Sequence, residues 1–176
     1  MTVIFLAGVH GVGKGHLGAL VSSGLGVRHL TASQLIREEK GRESWGKDKV
    51  VTDVGDNQRA LIQAVGRLRD SGQALLLDGH FVLRAPNSDF IRLDTGVFAA
   101  LKLSGVVLLC EEADRIAARL LQRDGVHTMP DSIRALAAQE EAHAREVCRA
   151  LSIPLAVLAS PTEISLTDAI RRLVKE

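Results

Sequence analysis

At 176 residues, with 46% hydrophobic and 24% charged side chains, the chain is sized for one globular domain with a substantial core. A formal net charge of +1 gives no global attraction to a polyanion or an anionic membrane, and 3% aromatic residues leave no stacking platform for single-stranded nucleic acid. Cys110 and Cys148 are too few for a disulfide scaffold and lack metal-ligand spacing, so they read as small buried hydrophobes.

Short apolar runs alternate with helix-period stretches. Val3–Ala7 is the first strand, and the run to Val9 is too short to span a bilayer and has no basic region before it, which points to a cytoplasmic protein. Lys14–Ser23 reads as a helix broken by Gly24 and Gly26, followed by a short strand at Val27–Leu30 and a helix from about Ser33. In Asp56–Asp70 the residues Leu61, Ile62, Val65 and Leu68 share one helical face. Ala74–Leu77 is a strand that runs into Asp78, and Val106–Cys110 is another, followed by a helix through Ile116, Leu120 and Leu121. A long helix spans Asp131 to Leu151, with Asp131 or Ser132 as its N-cap; a strand at Leu155–Leu158 and a helix at Leu166–Val174 close the chain. Gly41–Val54, Arg84–Asp94 and Asp124–Pro130 lack periodicity and read as loops or moving parts.

Five apolar strands separated by helices predict an α/β fold, a parallel sheet covered on both faces in three α/β/α layers. The whole chain, 1–176, reads as a single domain.

The strongest chemical signal is Gly8-Val9-His10-Gly11-Val12-Gly13-Lys14, between a strand and a helix. Glycines let the backbone curl so that its N–H groups converge on phosphate oxygens, and the helix that starts there adds its positive end. Lys14 supplies a mobile charge for the β- and γ-phosphates. The plain alternative is a glycine-rich turn with a solvated lysine. The general motif places Ser or Thr after the lysine as a Mg²⁺ ligand, whereas Gly15 and then His16 follow here.

The loop GVHGVGKGH resembles that of the adenylate kinase type of nucleoside monophosphate kinase, GxPGxGKGT, with His10 for Pro and His16 for Thr. Within that group it is most similar to the compact archaeal-type adenylate kinases and the related ribosome-assembly ATPase/adenylate kinases. The resemblance extends to LTASQLIREEK (30–40), LLLDGH (75–80), DRIAARLLQRD (114–124) and the acidic DKVVTDVGDNQ (48–58). It implies ATP and Mg²⁺ as cofactors, a sheet order of 2-3-1-4-5, a monophosphate-binding segment at about 31–72 and a short lid at about 119–134. It also implies nucleotide contacts from Gly8, His10, Gly11, Val12, Gly13, Lys14, Gly15 and His16. Thr31 would sit at a turn before Arg37 on the acceptor phosphate, with Arg84 as a displaced second arginine. Asp78 would face Mg²⁺ through water, and Arg119 and Arg123 would neutralise the transferring phosphoryl group.

The residues alone support parts of this. Asp78 ends an apolar strand at the carboxyl edge of the sheet, where open α/β folds bind ligands, although a turn-forming role before Gly79 is the ordinary alternative. Arg119 and Arg123 lie four apart on one helical face, and both could equally be surface arginines paired with Asp114, Glu111 or Asp124. His80 could position an attacking water or an acceptor hydroxyl. Trp45 lies in a polar loop, where it could stack on a base or pin the loop to the core. The expected function is transfer of the ATP γ-phosphate to a nucleoside monophosphate. The alternatives are an ATPase or switch acting on a protein or RNA partner, and a kinase for another small or nucleic-acid acceptor.

Overall fold

The computed structural model describes residues 1–42, 54–69, 72–85 and 89–175. Trp45, and residues 48–53 of the acidic segment, lie outside the described residues. Strand β1 (Val3–Ala7) is buried along its whole length and leads through the glycine loop into α1 (Lys14–Leu25). Next come β2 (Arg28–Thr31), α2 (Ala32–Arg42), α3 (Val54–Arg69) and β3 (Leu75–Asp78). A hairpin, β4 (Val82–Arg84) and β5 (Phe90–Arg92), leads to α4 (Thr95–Leu101) and β6 (Gly105–Cys110). The chain finishes with α5 (Ala113–Asp124), α6 (Pro130–Ala150), β7 (Leu155–Ala159) and α7 (Glu163–Lys175).

The main sheet is parallel in the order β2-β3-β1-β6-β7. With the hairpin strands set aside, this is the expected 2-3-1-4-5 order. Alternate residues of β1 feed two cores, as strand geometry requires. Val3, Phe5 and Ala7 join Leu75, Leu77, Phe81, Phe98 and Val147 on one face. Ile4 and Leu6 join Leu17, Val21, Ile116, Leu166 and Ile170 on the other. Phe5, Phe81 and Phe98 pack edge-on and stacked, with centroids 4.4–5.6 Å apart, and floor the carboxyl edge of β1 and β3.

Two expectations need correction. The stretch Arg84–Asp94, expected to be a loop, holds the last residue of β4 and all of β5 of an antiparallel hairpin that pairs Val82 with Arg92 and Arg84 with Phe90. Its strands are three residues long, too short for alternation to register. Helix α4 was also missed; its N-cap is Asp94, whose carboxylate accepts the Gly96 N–H at 2.7 Å. The long helix is capped at Met129 with Pro130 opening it, so Asp131 and Ser132 lie inside its first turn. Proline suits that position because its missing N–H would have had no intrahelical partner.

Candidate functional site: a phosphate loop opening on a deep cavity

The loop after β1 has the backbone its glycines predict. Gly8 has φ 137° and Gly11 φ 84°, regions closed to most side chains. A Cβ on Gly8 would stand 2.7 Å from the Leu109 carbonyl oxygen, and one on Gly11 would stand 2.9 Å from the Leu120 side chain. The loop is therefore pressed against β6 and α5 as tightly as backbone allows. Lys14 begins α1, only 7% exposed, and its Nζ donates to the carbonyls of Gly8 (2.5 Å) and Val9 (3.3 Å). Its ammonium lies 3.8 Å from Asp78 Oδ1. Burial lowers the Lys14 pKa, while the charges of Asp78 and Glu140 act in the opposite direction.

Asp78 ends β3 beside β1, with Leu6 as its partner in register. Burial raises its pKa against the opposing pull of Lys14, His29 and His10. His29 on β2 brings Nε2 to 3.9 Å from Asp78 Oδ2, and its ring packs where a Cβ on Gly18 would be. His80 follows two residues after Asp78. Burial, followed by the nearby Lys14 and His10, lowers its pKa to about 3, so its ring is neutral near pH 7.

Glu140 of α6 lies beneath this edge, 1% exposed, and was not anticipated from sequence. Its oxygens accept the backbone N–H groups of Gly8 (3.3 Å), Phe81 (3.0 Å to each oxygen) and Val82 (2.7 Å). One carboxylate thus ties the phosphate loop to the segment after His80. Burial raises its pKa, against the hydrogen bonds from Phe81 and Val82, the Lys14 charge and the Gly8 N–H. A sequence signal was available: Ile133, Leu136, Glu140, Ala144 and Val147 form one helical stripe, and an acid inside an apolar stripe needs a buried partner.

The expected site residues divide. Gly11, Gly13, Lys14, Gly15, His10, His16, Thr31, Asp78, His80 and Arg123 line a single cavity of about 550 Å³. Thr31 accepts the Gln34 N–H at 3.1 Å and so caps α2. Gly8 and Val12 shape the loop from behind. Arg119 donates to the Val12 carbonyl (3.3 Å) and to Glu111 (3.0 Å), holding α5 to the loop. Arg123 pairs with Asp124 and meets His10 Nε2 at 3.0 Å. Both arginines therefore take carboxylate partners and touch the phosphate loop as well.

Two expected acceptor residues stand elsewhere. Arg84 donates to Ser132 Oγ (2.7 Å) and to the Ser132 carbonyl (2.9 Å), because β4 turns its side chain toward α6. Arg37 is exposed on α2 and is not among the described residues lining the cavity. Among the described residues no cluster of three His, Cys, Asp or Glu is placed to hold a metal ion, and no helix is long and apolar enough to cross a membrane.

A family model described as an AAA domain matches residues 7–137. The chain belongs to this family. Its P-loop, α5 arginines and β3 carboxylate all fall within the matched span. No curated protein matches the chain. Among solved structures, a sugar kinase from Janibacter sp. HTCC2649 is 15% identical at a TM-score of 0.62, with 99% of this chain and 95% of that one covered. A gluconokinase from Sinorhizobium meliloti 1021 is 16% identical, TM-score 0.57, covering 99% and 92%. A shikimate kinase from Acinetobacter baumannii, in complex with shikimate, is 17% identical, TM-score 0.61, covering 99% and 93%. At these identities the likeness is one of fold, the P-loop kinase fold, and it is broader than the adenylate kinases.

Proposed function

We propose that the chain is an ATP-dependent kinase that transfers the γ-phosphate to a small acceptor seated between Asp78, His80 and the far wall of the cavity. The observation that carries this is the continuity of the cavity. The same space that exposes Lys14 and the glycine loop extends past Asp78 to α2, α3 and α4, leaving room for an acceptor in line with a bound triphosphate. The fold shared with the sugar, gluconate and shikimate kinases supports the same reading.

The residues present fit a polyphosphate. Gly11, Gly13 and Gly15, at the N-terminal end of α1, line the cavity, Lys14 is poised on the loop's own carbonyls, and Arg123 lines the same space beside His10. Mg²⁺ would arrive with the nucleotide, held by phosphate oxygens and, through water, by Asp78, and would neutralise charge on the transferring group. In the transfer, the acceptor oxygen bonds to phosphorus as the bond to the leaving β-phosphate oxygen breaks, and the acceptor proton passes to Asp78. A carboxylate whose pKa is raised by burial suits that step, whereas the neutral His80 ring suits orienting the acceptor.

A nucleoside monophosphate acceptor is the second reading. It is favoured by Thr31, which opens α2 at the cavity as the adenylate kinase resemblance implies. A screen with ATP and Mg²⁺ against sugars, hydroxy acids, nucleosides and nucleoside monophosphates, reading ADP, phosphorylated acceptor and free phosphate, tests both. Phosphorylated acceptor supports the kinase reading. Release of free phosphate alone, accelerated by a protein or RNA, would overturn it in favour of an ATPase.

A further inference from the structure

The two ends of the cavity differ in chemistry. Lys14, Asp78, His80 and Arg123 stand at the phosphate end. The same cavity has an apolar wall, presented by the half-buried Ile36 of α2 and Leu83 of β4 and backed by the buried Leu61 of α3 and Val97, Phe98 and Leu101 of α4. These come from four elements and are held from behind by the Phe5–Phe81–Phe98 cluster, so the wall is a built surface and does not depend on one mobile side chain.

From this division we infer that the acceptor is an uncharged ring-bearing alcohol, its hydroxyl presented to Asp78 and its apolar or aromatic body packed on that wall. The inference rests on the kinase reading for the direction in which the hydroxyl points. Apolar surface laid on this wall is favourable, worth roughly a fourfold gain in affinity for each buried methylene. A sugar hydroxyl turned toward Ile36, Leu61 or Val97 would instead lose its water without a partner, at a loss of about tenfold each. A second anionic group laid on these hydrocarbon side chains would lose its water without a partner. The two arginines considered for it are directed elsewhere, Arg84 to Ser132 and Arg37 to the exposed face of α2. Asn57 and Gln58 of α3 also line the cavity; the Asn57 Oδ1 accepts from the Lys40 ammonium, which leaves its NH2 and the Gln58 amide for a polar ring edge, and that suits a heterocycle better than a plain hydrocarbon.

The test is calorimetric binding to the full chain saturated with Mg²⁺ and a non-hydrolysable ATP analogue. Adenosine, uridine and 1,4-cyclohexanediol serve as uncharged ring alcohols with an apolar or aromatic body; glucose, whose ring carries hydroxyls all round and has no such body, and the charged gluconate and AMP serve as competitors. At least one ring alcohol should bind ten times more tightly than glucose, gluconate and AMP. Ile36→Asn and Leu83→Asn, both at half-buried positions, should each weaken that binding about tenfold while the variants retain the wild-type circular dichroism spectrum. Tightest binding of glucose, gluconate or AMP, no binding of any ring alcohol, or unchanged affinity in both variants would overturn the inference. Because binding is read without turnover, the two readings fail separately. Phosphoryl transfer onto gluconate or AMP would sink this inference and leave the kinase, whereas a ring alcohol that binds but is never phosphorylated would sink the kinase reading and leave the chamber.

Discussion

Glu140 on α6 accepts the backbone N–H of Gly8 at 3.3 Å across 132 positions of sequence. The same carboxylate takes the N–H groups of Phe81 and Val82, so a single buried acid fixes the first residue of the phosphate loop relative to the segment carrying His80. Removing it leaves three backbone donors in the interior without a partner. Glu140→Ala should therefore cost roughly 3–5 kcal/mol of stability, read as a lower urea midpoint at unchanged slope. Glu140→Gln keeps one carbonyl oxygen as an acceptor and should lose less. If both variants unfold at the wild-type midpoint, the carboxylate does not hold the loop.

Lys14→Ala should cut kcat for ATP turnover at least a hundredfold, because a buried ammonium aimed at developing phosphate charge contributes on that scale. Among the described residues its side chain bonds the loop's own carbonyls and faces Asp78, so the fold should persist, checked by circular dichroism. Retained turnover would place the phosphates elsewhere.

His80 gives a pH prediction with a definite sign. Its folded pKa, about 3, lies below the ordinary value of 6.5. Between those values the unfolded chain takes a proton that the folded chain refuses, so His80's contribution is intact above pH 6.5 and is lost as pH falls toward 3. His80→Gln removes that proton uptake, so its stability should decline less than wild type between pH 6.5 and 4 in paired urea titrations. In the native protein the ring proton resonance of the half-buried His80 should hold constant from pH 8 to pH 5; a titration midpoint near 6.5 would contradict the neutral ring.

How much of this could be read from the chain alone depends on distance along it. The glycine loop, Lys14 and Asp78 were legible because strand, turn and helix follow one another locally, and each residue type answers to one backbone or charge requirement. Glu140 and His29 were not singled out, because their partners lie across the sheet: Gly8, Phe81 and Val82 for one, Asp78 and Gly18 for the other. Arg84 was misplaced for a related reason. Its displacement from Asp78 already set it apart from the family's second arginine, and the hairpin that decides which way it points has strands of only three residues. Arg119 and Arg123 were correctly put on one helical face, yet only the folded chain brings Val12 and His10 to them.

That geometry separates two arginines by their expected effect. Arg123 meets His10 and lines the cavity at its phosphate end, so Arg123→Ala should lower kcat about tenfold or more. Arg84 holds Ser132 on the surface, so Arg84→Ala should leave kcat and the acceptor KM within about twofold of wild type. A large rise in acceptor KM for Arg84→Ala would return that arginine to the acceptor site and favour a phosphorylated acceptor.

Gly15 occupies the place where the general motif carries a metal-binding hydroxyl. A Cβ there would meet nothing within 4 Å, and its φ is not in the left-handed range. Serine should therefore enter without strain. It removes a glycine from α1, worth about 0.5 kcal/mol in helix propensity, or roughly 1–2 °C in melting temperature for a domain of this size. It also adds a hydroxyl beside Lys14 at the phosphate end. If Mg²⁺ is otherwise held only by phosphates and water-bridged Asp78, Gly15→Ser should lower the Mg²⁺ concentration needed for half-maximal turnover, and Asp78→Asn should raise it. Measuring both Mg²⁺ titrations at saturating ATP checks the pair. An unchanged Mg²⁺ requirement in Gly15→Ser, with the added thermal stability present, would show that the metal does not approach the start of α1.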